Sequence, residues 1–459
     1  MPKDQNEIHQ VTSGGALFAR LKKLGVDYVF CNSGTDFPPI IEGIAEAEAK
    51  GIELPKTLVI SHEHAALGMA HGYYAATSNP QAVILHTNVG LANGAIGMIN
   101  AACDHAPLIL MSGRTPITEK ARFGSRTVPI GWGQEMRDQT ALVRETSKWD
   151  YELKFPEQVP ELLDRAHAIA TSTPAGPVYM SLPREVLCEP CPIEALEAPL
   201  TMRATKLAAP EVDLELLADS LAGAKAPLII AQRGAGDETG FQALARLTED
   251  WGIPVCQYWA IALAISYEHP CCVGSNVEPW LNQADVILVL DGLSPWAPEL
   301  HKHRSSATVI NLGPDPLHQR FPVRNYRSDL SITGELSDAL VRLEALMAMR
   351  TKGRKKTITA RRTALATQSA AIAKASLKTA KAGAAFPMTK AYVAHCIGEA
   401  VKGINSTVLC ELGCPLDHVR PTQPNQWRDL PHAGGLGWSL PAAMGMKLAN
   451  HLRFTPNSH

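Results

Sequence analysis

The sequence contains no apolar run approaching the about 20 residues that a membrane-spanning helix needs, so no span and no membrane partner are expected. It has no excess of either charge. A formal net charge of −2 gives no reason to expect nucleic acid as a partner. Its first ten residues, MPKDQNEIHQ, mix acids, bases and amides and lack the apolar stretch of a secretory signal. Its ten cysteines lack regular spacing, which argues against a disulfide framework and for a reducing compartment, the cytoplasm. The pair Cys188 and Cys191 has neither a second such pair nor two histidines to complete a zinc site. The basic stretch KGRKKTITARR lacks interleaved aromatics, and it reads as a solvated helical connector.

What the sequence does have is alternation. A chain of 459 residues should form two or three domains. A helix is expected over 12–24, with Leu17, Leu21 and Leu24 on one face and Gly25 as its stop. Apolar runs follow at 26–31, 58–60, 82–85, 108–111 and 178–182, with helical spacing between them. That pattern predicts a doubly wound parallel sheet. After a proline-rich break, CEPCPIEALEAPL, a second α/β pattern has strands at 227–231, 254–257, 286–290 and 308–311. A third start has a helix at 389–401, a strand at 407–411, and a glycine loop feeding a helix in HAGGLGWSLPAAMGMKLAN. The expected architecture is therefore three doubly wound parallel-sheet α/β domains, the third incomplete. Their bounds are 1–190, 205–350 and 386–459, with a helical linker over 351–385.

Polar residues gather at the ends of the early strands. The first ends in Asn32-Ser33-Gly34-Thr35-Asp36, and the second leads to Glu63, a lone acid between His62 and His64. The third ends in His86 before a glycine-rich loop expected over 90–97, and the fourth in Ser112-Gly113. Strand ends with polar groups beside glycines are how an open parallel sheet builds a ligand crevice. Glu63 by itself has a plainer explanation, because an acid in the first turn of a helix interacts well with the helix dipole. The residues after it, Ala65, Ala66, Gly68, Ala70 and Gly72, are small at helical spacing and admit a close neighbour.

The stretch SHEHAALGMAHGYY resembles the glutamate helix of thiamine diphosphate (ThDP) enzymes of the acetolactate synthase, benzoylformate decarboxylase and pyruvate decarboxylase superfamily. FCNSGTDFPP, LHTNVGLANGAIGMINA, SLPREV and AGGLGWSLPAAMG match in the same order. The resemblance covers nearly the whole chain and implies pyrimidine-binding, central and diphosphate-binding domains. It implies that Glu63 hydrogen-bonds the cofactor's aminopyrimidine and governs its protonation. It implies that His86 relays protons to the substrate, that Thr35 supplies a hydroxyl, and that Gln134 lies near the cofactor. Gly434, Gly435 and Leu436 would hold the cofactor, with Leu436 propping it into a bent form. The central-domain histidine of benzoylformate decarboxylase has no counterpart; Trp296 stands nearest. Arg233-Gly234-Ala235-Gly236 is similar to a nucleotide loop, but no flavin is expected from so short a motif.

The family holds magnesium through a Gly-Asp-Gly motif and a later Asn. No Gly-Asp-Gly occurs in this sequence. No metal ligand is therefore assigned, and weak ThDP binding with little dependence on magnesium is expected. The resemblance implies cleavage or formation of a C–C bond next to a carbonyl, foremost decarboxylation of a small 2-oxo acid. An acetolactate synthase-like carboligase is the alternative within enzymes, and a non-catalytic scaffold the alternative outside them. A homodimer or homotetramer is expected.

Overall fold

The computed structural model describes residues 10–454. The chain divides into two compact units: one runs through Thr205 and takes up the segment from Leu430 on, and the other is Lys206–Asp429. The segment expected as a third domain is thus shared. Residues 386–429 belong with the central unit and the rest with the first.

The strands of the first unit are β1 (Gln10–Thr12), β2 (Tyr28–Asn32), β3 (Lys56–Val59), β4 (Ala82–Leu85), β5 (Ile109–Arg114), β6 (Asp150–Glu152), β7 (Val178–Pro183) and β8 (Pro190–Pro192). Six of them form one parallel sheet in the order β3-β2-β4-β5-β7-β6. Phe30 in β2 stands opposite Leu58 of β3 on one side and Val83 of β4 on the other. The β4 sequence AVIL is buried throughout, as a strand covered on both faces must be. The proline-rich break after β7 is no free linker, since β8 pairs antiparallel with β1.

Alternation along the strands builds two cores. Val29, Cys31, Ile84 and Met111 face one layer with Leu17, Leu21, Ile40 and Leu163. Phe30, Val83, Leu85 and Leu110 face the other, with Ala66, Leu67 and Met98. Helices α1 (Ser13–Lys23) and α2 (Pro38–Ala49) therefore cover the first face, and α3 (Glu63–Thr77) and α4 (Thr87–Cys103) the second. A buried ion pair ties the first layer together: Arg20 donates Nε to Asp164 at 2.7 Å and Nη2 at 2.5 Å. Burial alone would raise the Asp164 carboxyl, but the Arg20 and Thr201 donors outweigh it and hold the group below its ordinary value.

The expected glycine-rich loop at 90–97 is instead part of α4. Each glycine costs a helix about 1 kcal/mol relative to alanine, yet Gly90, Gly94 and Gly97 share one face. A Cβ on Gly94 would lie 2.6 Å from Leu85 Cδ1, and one on Gly97 would lie 2.6 Å from Leu67 Cβ. Packing against β4 and α3 outweighs propensity.

The small residues of α3 serve a close approach, as expected, and in this structure the approaching element is the same chain's helix Ser439–Phe454. A Cβ on Gly72 would lie 2.0 Å from Ala442 O, and one on Gly445 would lie 2.0 Å from Met69 O. The two backbones touch because neither carries a side chain there.

The second unit has β9 (Pro227–Ala231), β10 (Val255–Cys256), β11 (Val286–Leu290), β12 (Thr308–Gly313) and β13 (Leu330–Thr333) in the parallel order β10-β9-β11-β12-β13. A smaller parallel pair joins β14 (Val408–Cys410) and β15 (Trp427–Asp429). The basic connector is the helix Lys355–Ala382. Its arginines have a structural use. Arg361 donates Nη2 to Trp251 O at 2.6 Å, and Arg354 donates Nη1 to Ala222 O at 2.6 Å, where two helices end in unsatisfied carbonyls. All ten cysteines are free thiols. No helix among the described residues is long and apolar enough to cross a membrane.

Candidate active site

The chain runs from β2 out to β3 at the sheet edge and then returns to β4 on the other side of β2. Connections diverge at this switch point, which opens a crevice at the carboxyl ends of β2 and β4. Asp36 follows β2, Glu63 follows β3 and His86 follows β4. Three of the fold's strand ends thus deliver titratable groups to one place.

His86 is the centre of the arrangement. Its Nδ1 is hydrogen-bonded to Asp36 Oδ1, and its Nε2 is 3.3 Å from Gln134 Nε2. With Nδ1 protonated toward the carboxylate, Nε2 is the nitrogen left to exchange a proton, and the Gln134 amide donates to it when it is bare. The hydrogen bond to Asp36 holds the ring above the ordinary imidazole value. Burial opposes this, and the charges of Asp36 and Glu63 reinforce it.

Gln134 is held in reach of His86 by ion pairs on its neighbour. Glu135 binds Arg114 at 2.8 Å and also pairs closely with Arg126. Thr115 Oγ1 donates to Glu135 at 3.1 Å, and Arg126 Nε donates to Pro116 O at 2.7 Å. The SLPREV segment contributes as well, because Glu185 accepts from Thr118 N and Oγ1 at 2.8 and 2.7 Å. Thr35, Asp36, Thr87, Arg126, Gln134 and Arg184 line a cavity of about 30 Å³, room for roughly one water. Thr35 is exposed there.

Glu63 is the first residue of α3 and half-buried. Asn93 Nδ2 of α4 donates to its Oε2 at 3.3 Å. Gly90 of α4 lies alongside it, where even a Cβ would make only ordinary van der Waals contact with Oε1 at 3.5 Å. Such a carboxylate, one oxygen partnered and the group half in solvent, fits the task of sharing a proton with a ring nitrogen. The aminopyrimidine end of thiamine diphosphate therefore has a fitting partner. Among the described residues no group of three or more His, Cys, Asp or Glu could hold a metal ion.

The glycine loop before the Ser439 helix sits on the same layer. Gly434 and Gly437 have φ of 70° and 89°, conformations that other residues rarely adopt. Asn100 Nδ2 of α4 donates to Gly435 O at 2.8 Å. Trp438 is buried, and its Nε1 donates to His71 Nδ1 at 3.0 Å. Leu436 between them is half exposed, at 51 %.

Trp296 is buried in the central unit, edge-on to Tyr326 and His303. The loop at Gly234 and Gly236 is closed by packing, since a Cβ on Gly236 would lie 2.6 Å from Ser337 Oγ. Two larger cavities, of about 450 and 580 Å³, lie within the second unit. The one carboxylate of the first, Asp417, is saturated by Tyr267 Oη, Ser275 N and Ser275 Oγ. The residue that sequence reasoning passed over is Asp36. Its signal was an acid directly after Gly-Thr at a strand end, matched by the bare Gly113 two strands away.

This chain matches the thiamine pyrophosphate enzyme N-terminal TPP-binding domain over residues 11–142 and the central domain of the same enzymes over residues 214–343. It belongs to the thiamine pyrophosphate enzyme family. Among its relatives is the Pseudomonas aeruginosa protein named Probable 2-ketoarginine decarboxylase AruI, 29% identical over 287 residues, which are 61% of this chain and 48% of that protein. Benzoylformate decarboxylase of the same organism is 29% identical over 184 residues, 39% of this chain and 31% of the relative. A Methanocaldococcus jannaschii protein named Probable acetolactate synthase large subunit is 24% identical over 358 residues, covering 73% and 56%. The chain thus spans about half the length of the first and third of these relatives. Among solved structures, benzoylformate decarboxylase from Polynucleobacter necessarius superposes with a TM-score of 0.73 at 19% identity, covering 97% of this chain and 78% of that one. At that identity the likeness speaks for the fold alone.

Proposed function

We propose that this chain takes part in ThDP-dependent cleavage or formation of a C–C bond next to a carbonyl, as a decarboxylase of a small 2-oxo acid. The observation that carries the reading is His86, with one ring nitrogen committed to Asp36 and the other beside the Gln134 amide, near enough to Glu63 to feel its charge. When bound, the cofactor would supply an electron sink for the pair left on the carbonyl carbon as CO₂ departs. Glu63 holds the proton shared with the pyrimidine ring. His86 Nε2 delivers a proton to the substrate side, and Gln134 and Thr35 orient polar groups beside it. Leu436 supports the cofactor from the glycine loop. No step is assigned to magnesium.

The decarboxylase relatives carry names for 2-oxo acid substrates, which supports this substrate class. The acetolactate synthase relatives and Gln134 support a carboligase as the second reading. A carboligase needs room for a second 2-oxo acid, whereas the cavity beside His86 suits delivery of a proton. We also propose a homodimer or homotetramer in the cytoplasm. Helix α4 exposes Val89, Ile96 and Ile99 on one face, and Leu440 and Met444 are exposed on the Ser439 helix, a set of apolar residues that association would cover. The test is CO₂ release and product identity from a panel of 2-oxo acids, with ThDP, with and without magnesium. An aldehyde product supports the decarboxylase, and a coupled hydroxy-keto acid the carboligase. No CO₂ from any acid removes both.

A further inference from the structure

We propose that Asp36 is the positioning residue of His86, fixing which ring nitrogen exchanges the proton; this rests on reading His86 as the proton-transfer group. The geometry is built for one carboxylate in one place. Asp36 is only 3 % exposed. Its Oδ1 takes the His86 Nδ1 hydrogen bond, and its Oδ2 lies 3.4 Å from the backbone N of Thr87, which donates to it. One carboxylate thus clamps two consecutive residues at the corner between β4 and α4.

Two glycines are cut to fit this clamp. A Cβ on Gly113, at the end of β5, would lie 1.5 Å from Asp36 Oδ2. A Cβ on Gly34, two residues before Asp36, would lie 2.2 Å from His86 Cγ and Nδ1. Any other residue at either position would expel the carboxylate or the ring. The corner itself is strained, because Thr87 has a φ of 40°, in the left-handed region that a β-branched residue avoids. The Oδ2 contact to its N–H helps hold that conformation.

The consequence is chemical. An aspartate at Nδ1 makes Nδ1 the protonated nitrogen of the neutral ring and leaves Nε2, on the Gln134 side, as the exchanging one. It also favours the imidazolium, in which both nitrogens donate. The charged groups facing the ring are Asp36 and Glu63. Arg126 and Arg184 line the adjoining cavity. A merely structural clamp would hold the corner but set neither tautomer nor protonation.

The test uses the full chain with ¹⁵N-labelled histidine, the His86 ring signals being assigned by their loss in His86→Gln. In the unaltered protein His86 should titrate above the ordinary value of about 6.5 and carry its neutral-form proton on Nδ1. In Asp36→Asn the titration midpoint should fall toward or below the ordinary value, with the neutral tautomers mixed. The pH–rate profile should move with it, and kcat should drop while KM changes little. The proposal is overturned if His86 of the unaltered protein titrates at or below the ordinary value, a result that needs no variant to fold. It is also overturned if Asp36→Asn leaves midpoint and tautomer unchanged. If the midpoint falls as expected but His86→Gln retains full turnover, the positioning stands and the catalytic reading of His86 fails instead.

Discussion

Two histidines on the same layer of the first unit are each bonded to an aspartate, and they are put to opposite uses. His71 lies in the middle of α3, 1 % exposed. Its Nε2 bonds Asp104 Oδ2 at 2.8 Å, and its Nδ1 accepts from Trp438 Nε1 at 3.0 Å. Both nitrogens are spent, and the ring serves as a bracket between α3, the end of α4 and the Ser439 helix. His86 sits at a strand end, with Nδ1 on Asp36 and Nε2 on an amide that can turn to serve either protonation state. An aspartate partner alone therefore marks neither a catalytic nor a structural histidine. The second nitrogen and the place in the sheet decide.

The comparison breaks most visibly in turnover. His86→Ala should slow it by roughly 10²–10⁴-fold, the usual range for an acid–base group, with a smaller loss of stability from the broken pairing with Asp36. His71→Ala should do the reverse. Loss of the acceptor for Trp438 and of a buried ring should cost about 1–3 kcal/mol of stability, with turnover per folded molecule retained. Parallel thermal melts and initial rates on the two variants check this. If His71→Ala proves to be the slower enzyme and the stabler protein, the division of labour is wrong.

Next in size is the contact that His71 brackets. Gly72→Ala places a methyl group 2.0 Å from Ala442 O and should cost about 1–3 kcal/mol by overpacking. Because the loop bearing Leu436 leads into that helix, the variant should also loosen ThDP binding. Chemical denaturation and calorimetry measure the two effects. A stable variant with unchanged binding would detach the Ser439 helix from the site.

Much of this was legible in the sequence. The strands at 82–85, 227–231 and 286–290 are where their apolar runs end, because a parallel strand buried on both faces reads as an unbroken run. Glu63 stood out as a lone acid among small residues. The errors have physical causes. The glycines of α4 spoke for a loop, and only packing on Leu85 and Leu67 makes them helical. Three-residue strands such as β1 and β8 carry too little pattern to be seen. Asp36 carries no decisive signal of its own in the sequence, because a one-residue difference at a strand end decides which side chain turns inward. Only the fold shows that Gly113 leaves space for the carboxylate.

A smaller effect sharpens the contrast through pH. The folded state holds His86 above its ordinary value, so its pairing with Asp36 contributes stability that is fully present below the unfolded-state value of about 6.5 and is lost as pH rises through the raised one. Stability measured across that window in the unaltered protein and in His86→Gln should converge toward high pH. Parallel curves would remove the linkage.

The claim that the first unit activates the cofactor through Glu63 and handles substrate protons through His86 is tested most directly by hydrogen–deuterium exchange at C2 of bound ThDP, followed by NMR. Exchange should be fast in the unaltered protein, nearly abolished in Glu63→Gln at saturating cofactor, and largely kept in His86→Ala. Exchange in Glu63→Gln at the unaltered rate would contradict the account.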